Sequence, residues 1–366
     1  MHRKLLAVAA FRLISAPAAA QSAVQIYGVL DMGYRWSGDH IDPSIGNRSS
    51  IDSGTSAPTR LGFRGSEDLG NGLKAGFVLE QGIAADTGTT VGGGAFSRQA
   101  FLSLGGAFGT VAAGRQYTPG YNLTSLIDPF GGVTVGQFNN AYHTEYRWNN
   151  LITYASPVRG GFSVAGGFTF NAFGDESPAN RGAGDTGDVR ALSITPQYQS
   201  GALLVGVHLQ ELRAKSTGRY DGEKVRVYDV VGRYELGFAT LAAIYGVRRA
   251  DSADFSTHTG AREAKETRQW LLGVTVPVGE AGKIMASYVA RKSERIGDGD
   301  EAKVSQWAVG YEHSLSKRTA VYATFAKLDN NRVARAARTL SGSVSAGYNG
   351  YDGYQRGANA GIRHRF

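Results

Sequence analysis

From Ala23 to the last residue, apolar and polar side chains alternate with period two. No segment longer than about one helical turn carries a 3.6-residue period. Val24, Ile26, Leu30, Met32, Tyr34 and Trp36 fall on one face of an extended segment, and Gln25, Asp31 and Arg35 on the other. Leu203, Val205, Val207 and Leu209 oppose Gly206, His208 and Gln210 in the same way. Further on, Trp270, Leu272, Val274 and Val276 oppose Gln269 and Thr275, and Ile284, Ala286, Tyr288 and Ala290 oppose Ser287 and Arg291. This is the pattern of strands whose two faces meet different surroundings. The longest uncharged apolar run, Leu5 to Phe11, has seven residues. A membrane-crossing helix needs ~20, so the chain has no helical span.

The connections also come in two kinds. Short ones fall at 67–72, 105–107, 156–161, 200–202, 235–237, 278–282 and 314–318. Long polar or Gly-rich ones fall at 38–56, 85–95, 117–146, 174–187, 213–223, 250–265, 293–301 and 330–352. They separate sixteen predicted strands: 23–37, 57–67, 73–84, 96–105, 108–116, 147–155, 162–173, 188–199, 203–212, 224–235, 238–249, 266–277, 283–292, 302–313, 319–329 and 353–366. An open sheet of that size would leave two exposed edges, whereas a closed barrel leaves none. Strand lengths near ten residues suit tilted strands in a bilayer, where ~9–11 are needed. Lipid also requires that every backbone polar group find a partner within the protein. Short turns at one end and long loops at the other mark an outer-membrane barrel. The expected fold is all-β, a 16-stranded antiparallel transmembrane β-barrel with its apolar face to lipid and its polar face to water.

The first twenty residues read as an export signal. Met1-His2-Arg3-Lys4 is basic, an apolar stretch follows, and Ala18-Ala19-Ala20 supplies the small residues of a cleavage site. The expected organisation is a signal peptide at 1–20 and a single barrel domain at 21–366. The formal net charge is +8. Removal of the leader takes three bases and no acid, leaving a mild +5. The bases are scattered rather than gathered in tracts, so nucleic acid is not an expected partner. Cys is absent, which excludes disulfides, thiol catalysis and Cys-ligated metal. Gly contributes 51 of 366 residues, roughly twice ordinary usage.

Several segments resemble the Gram-negative general porins, especially their trimeric betaproteobacterial branch. These are Val24 to Gly33, the hairpin Thr59 to Ala75, Arg98 to Leu104, Phe108 to Gln116, Arg147 to Pro157, and the ending Gly361-Ile362-Arg363-His364-Arg365-Phe366. Together they extend over nearly the whole mature chain. The resemblance implies a homotrimer in the bacterial outer membrane, surrounded by lipid and lipopolysaccharide. It implies a water-filled channel for passive diffusion of small hydrophilic solutes and ions. It also implies that connection 117–146 folds inward to narrow the lumen, and that Phe366 is read by the barrel-assembly machinery.

Carried over by motif, Arg60, Arg98 and Arg147 match a ladder of basic wall residues at the constriction. Arg115 lies near the same level, and Asp128 is the expected acid on the loop. Arg98 shares the parity of Ala100, Leu102 and Leu104. Pro129, Phe130 and Gly131 are expected to turn tightly and anchor the loop on the wall. Several Arg residues against few loop acids predict a lean toward anions, because rings of charge bias ion selectivity. A substrate-selective channel for organic acids or phosphate is the alternative. An enzyme acting through His143 or His258, or a loop-mediated adhesin, has less to support it. No HxxxH or HExxH spacing occurs, so neither metal nor cofactor is expected.

Overall fold

The computed structural model describes residues 23–131, 133–174, 188–215, 222–251, 264–297, 299–344 and 352–366. The expected signal peptide, Gly132, His258 and much of three long connections lie outside the described residues.

Eighteen strand segments occur among the described residues. They are β1 (Ala23–His40), β2 (Arg48–Ser53), β3 (Arg60–Gly70), β4 (Leu73–Ala84), β5 (Thr89–Val91) and β6 (Gln99–Gly106). Next come β7 (Gly109–Tyr117), β8 (Arg147–Ala155), β9 (Phe162–Thr169), β10 (Asp188–Ser200), β11 (Leu203–Lys215) and β12 (Lys224–Glu235). The last six are β13 (Thr240–Ala250), β14 (Ala264–Val278), β15 (Gly282–Arg295), β16 (Glu301–Ser314), β17 (Thr319–Asn330) and β18 (Tyr354–Arg365).

They fill sixteen places in the wall. β2 and β3 lie end to end against β1, with Ser53 opposite Met32 and Arg60 opposite Val29. β5 and β6 likewise share β4, with Val91 opposite Gly82 and Gln99 opposite Glu80. β2 and β5 therefore fall inside the predicted loops 38–56 and 85–95, as continuations of two wall strands that are interrupted at 54–59 and 92–98. The first interruption is held by one side chain. The Asp31 carboxylate accepts from the backbone N–H groups of Thr55, Ser56 and Ala57 at 2.7, 3.1 and 3.2 Å. Without it, these three donors would be left unpaired where the ladder breaks.

All neighbours are antiparallel, and the sheet closes where β18 pairs with β1, Arg365 standing opposite Val29. Closure extends to the last residue. Gly28 and Phe366 exchange both backbone hydrogen bonds at 3.1 Å. The Phe366 ring covers Gly28, where a Cβ would come within 2.3 Å of it.

The outer face is apolar, with Leu102 70% and Val230 58% exposed, while Asp31, Arg35, Gln269 and Gln306 are buried on the inner side. The expected polar inner face fails wherever connections pack inside the barrel. Ile127, Phe130, Phe138 and Tyr142 from connection 118–146 form one buried cluster with Leu271, Val289, Ala308 and Leu328 of the wall. Leu340 and Val344, from the connection after β17, join it. A second inner cluster joins Trp148 and Leu151 to Leu212 and Val225. Burial of these groups against one another supplies the apolar gain that holds the loops inside, ~1.5–3 kcal/mol per large side chain.

Candidate functional site

Connection 118–146 begins with a single helical turn, α1 (Pro119–Thr124). Thr118 caps it, its hydroxyl accepting from the Tyr121 N–H, and Pro at the first helical position needs no partner for a missing donor. The segment then runs across the lumen to a one-turn 3-10 helix at Phe138–Asn140. Wall glycines let it approach closely. A Cβ on Gly273 would stand 2.6 Å from Pro129, and one on Gly310 would stand 2.9 Å from the Phe130 ring. Gly131 adopts φ +63°, which a non-Gly residue adopts only at a cost.

Polar contacts complete the attachment. Tyr142 donates to Asp229 at 2.6 Å, and Asp229 also lies 2.8 Å from His208 Nδ1. Burial, followed by the Asp229 charge, pushes the Tyr142 hydroxyl well above the ordinary phenol range, so it remains a donor. Gln269 accepts from the His143 N–H and donates to the His143 carbonyl, at 2.8 and 3.0 Å. His143 thus contributes its backbone to holding the loop on the wall.

Between the loop and β3, β15, β16 and β18 lies a cavity of about 510 Å³. Seven bases line it (Arg60, Arg98, Lys283, Lys317, Arg318, Arg363 and Arg365) against two acids, Asp128 and Glu312. Arg60 and Arg98 meet at Glu80, at 3.2 and 2.6 Å, and Tyr27 donates to the same carboxylate at 3.1 Å. Arg98 also donates to the Tyr117 hydroxyl at 2.6 Å, and Arg147 does so at 2.8 Å. The Arg147 guanidinium stacks over the Tyr117 ring, 4.4 Å from its centroid.

Arg60, Arg98 and Arg147 are therefore brought into one network through Glu80 and Tyr117. Strand parity had placed Arg98 with the outward Leu102. It points inward because β6 begins only at Gln99, so Arg98 belongs to the interruption at 92–98, where alternation has lapsed. Arg115 does not join that network in the same way. Its Nε donates to the Ser97 carbonyl at 2.6 Å, and its Nη1 donates to the Asn149 side chain. It lines a neighbouring cavity of about 450 Å³, together with Arg98 and Arg147.

Asp128 lines the large cavity, yet its carboxylate accepts from the backbone N–H groups of Phe130 and Phe138 at 3.1 and 3.2 Å. It shapes the turn as well as carrying charge. Glu80, Tyr117, Lys283, Glu312 and Arg363 are not among the site residues expected from the sequence. Glu80 could have been found, because its register opposite Gly62 places an acid beside Arg60. Glu312 lies 3.3 Å from Lys283 and 3.0 Å from Arg363, a grouping made by three different strands that no local motif marks.

The family description "Gram-negative porin" matches residues 5–333. Outer membrane porin protein 32 of Delftia acidovorans is 30% identical over 380 residues, covering 100% of both chains. An outer membrane porin protein of Bordetella pertussis is 29% identical over 407 residues, again covering 100% of both. Among solved structures, the anion-selective porin from Comamonas acidovorans superposes with a TM-score of 0.73 at 28% identity, covering 94% of this chain and 100% of that one. OmpT of Vibrio cholerae in its trimer form gives a TM-score of 0.67 at 17% identity, covering 94% and 99%, a likeness of fold alone.

Proposed function

The chain belongs to the Gram-negative porin family, and from that premise we propose how its charges shape the traffic through it. The protein is an outer-membrane channel for small hydrophilic solutes and ions. The constriction lies where connection 118–146 faces the Arg60–Glu80–Arg98 group, and it favours anions. The observation that carries this reading is the lining of the large cavity, seven bases against two acids. A narrow passage between low-dielectric walls focuses the field of such an excess, and at physiological salt a charge acts over ~8 Å. Arg60, Arg98 and Arg147 form the basic ladder, Asp128 is the loop acid, and Arg115 acts from the adjoining cavity. Pro129, Phe130 and Gly131 anchor the loop. The similarity to a Comamonas porin described as anion-selective supports the same sign.

The relatives are porins, and the family's work is passage rather than catalysis. Assembly as a homotrimer, export through a cleaved signal at 1–20, contact with lipopolysaccharide, and recognition of Phe366 during barrel assembly are part of the same proposal, with family membership as their support. The test is the reversal potential of the purified protein in a planar bilayer under a salt gradient. A potential on the anion side, moved toward cations by Arg60→Ala and Arg98→Ala, supports the reading. A cation-selective channel indifferent to both variants defeats it. A substrate-selective channel for organic acids or phosphate is the second reading, favoured by the adjoining cavity that shares Arg98. It would show saturation in liposome swelling, whereas simple diffusion follows solute size.

A further inference from the structure

On the outer surface of β14, β15 and β16, near the ends that carry the long connections, charges of one sign stand side by side. Glu266 is directly opposite Glu294, and Glu294 is opposite Glu301. Two residues nearer the middle of the barrel, Arg268 is opposite Lys292, and Lys292 is opposite Lys303. Like charges placed directly across strands destabilise a sheet. Two contacts along the strands offset this in part, with Glu266 2.7 Å from Arg268 and Glu301 3.0 Å from Lys303, and at the edge of the acid row Arg249 of β13 stands opposite Glu266, 2.8 Å away. Arranging the signs alternately across the strands would stabilise the sheet further. A row of three bases beside a row of three acids therefore calls for a reason outside the sheet.

Next to the bases the surface is notched. Ala290 and Ser305 are small, and they line a cavity of about 360 Å³ together with Trp270, Tyr288, Lys292 and Lys303. Asp329 also lines it and lies 3.4 Å from Lys327. The basic side chains reach outward, Arg268 being 62% and Lys303 52% exposed. Trp and Tyr belong at the depth of lipid headgroups, so the bases stand just where headgroup phosphates lie. On the membrane side, Leu272 and Val309 continue an apolar strip suited to acyl chains.

We propose that this notch binds the phosphorylated sugar headgroup of lipid A in the outer leaflet. Phosphate bridges the base row through charge-assisted hydrogen bonds, which relieves the repulsion between Arg268, Lys292 and Lys303. The acid row above repels phosphate and so confines it to one level. The sugar rings stack on Trp270 and Tyr288. The inference rests on the outer-membrane orientation of the barrel and goes beyond it by assigning a site.

The test uses the full protein in detergent and measures lipid binding by native mass spectrometry. The probes are diphosphorylated lipid A, the same lipid with both phosphates removed, and phosphatidylglycerol. Diphosphorylated lipid A is expected to bind at least tenfold more tightly than either of the others. The triple variant R268Q/K292Q/K303Q, its barrel content checked by circular dichroism, is expected to lose that advantage. Equal binding of phosphatidylglycerol, or of the dephosphorylated lipid, by the native protein overturns the proposal even if the variant does not fold. Undiminished lipid A binding by a folded triple variant overturns it too. A protein that conducts ions and ignores lipid A refutes the site alone, whereas one that does not conduct refutes the channel reading.

Discussion

The Glu80 carboxylate lies 2.6 Å from the Arg98 guanidinium, and the two side chains are only 5% and 4% exposed. Glu80 is thus the internal counter-charge of the basic wall, shared with Arg60. Glu80→Gln removes one negative charge beside the cavity and leaves both bases in place. The reversal potential should move further toward the anion side. Breaking a buried pair from one partner costs about 3–5 kcal/mol, so thermal unfolding should begin at a lower temperature. An unchanged or cation-shifted potential in a folded variant would mean that these bases do not face the ion path.

Arg60, Arg98 and Arg115 should differ in effect although all three are arginines. The first two line the large cavity, while Arg115 is turned to the Ser97 carbonyl and the Asn149 side chain in the neighbouring one. Arg60→Ala and Arg98→Ala are expected to shift selectivity toward cations, and Arg115→Ala to shift it less. In ~1 M salt the screening length contracts to ~3 Å, and all three differences should shrink. Reversal potentials at two ionic strengths check both statements. An Arg115→Ala effect as large as that of Arg60→Ala would place the narrow passage in the wrong cavity.

The wall was legible because alternation is a local property repeated sixteen times, and the long and short connections give its direction. The inner surface was less so. Alternation assigns Leu271 and Val289 to the inside without saying whether water or a loop meets them, and the answer depends on Phe130 and Phe138, far away in sequence. The interruption at 92–98 reversed the parity of Arg98, and no local pattern marks it, because it lies where pairing with β4 stops at Val91 and resumes at Gln99. The role of Glu80 arises from three strands meeting. The motif Arg98 to Leu104 implies an inward Arg98 while strand parity implies an outward one, and the side chain lies inside, against Glu80.

Phe130 should act as the peg of the inward loop. Phe130→Ala removes a buried ring, and such truncations cost about 3–5 kcal/mol. Gly310→Val attacks the same contact from the wall, because its Cβ would lie 2.9 Å from the ring. Overpacking of this kind costs about 1–3 kcal/mol. Both variants should release the loop, raising single-channel conductance and current noise. If the barrel stays folded and the conductance of both is unchanged, the loop is not what limits the passage.

Gly28 and Phe366 separate closure of the barrel from recognition of its end. Any Cβ at Gly28 would press on the Phe366 ring and come 2.7 Å from the Arg60 carbonyl oxygen, and that backbone atom cannot swing aside. Gly28→Val should therefore lower the refolded fraction in detergent. Phe366→Ala removes a ring that is 45% exposed and keeps the paired backbone bonds to Gly28. It should refold in detergent nearly as well as the native chain, since a half-exposed side chain contributes only part of the ~1.5–3 kcal/mol of full burial. If Phe366 is the assembly signal proposed above, its yield in the outer membrane of living cells should nevertheless fall severalfold. Measuring both yields for both variants decides the matter. If Phe366→Ala loses as much in detergent as in cells, the ring serves closure alone and the assembly signal lies elsewhere.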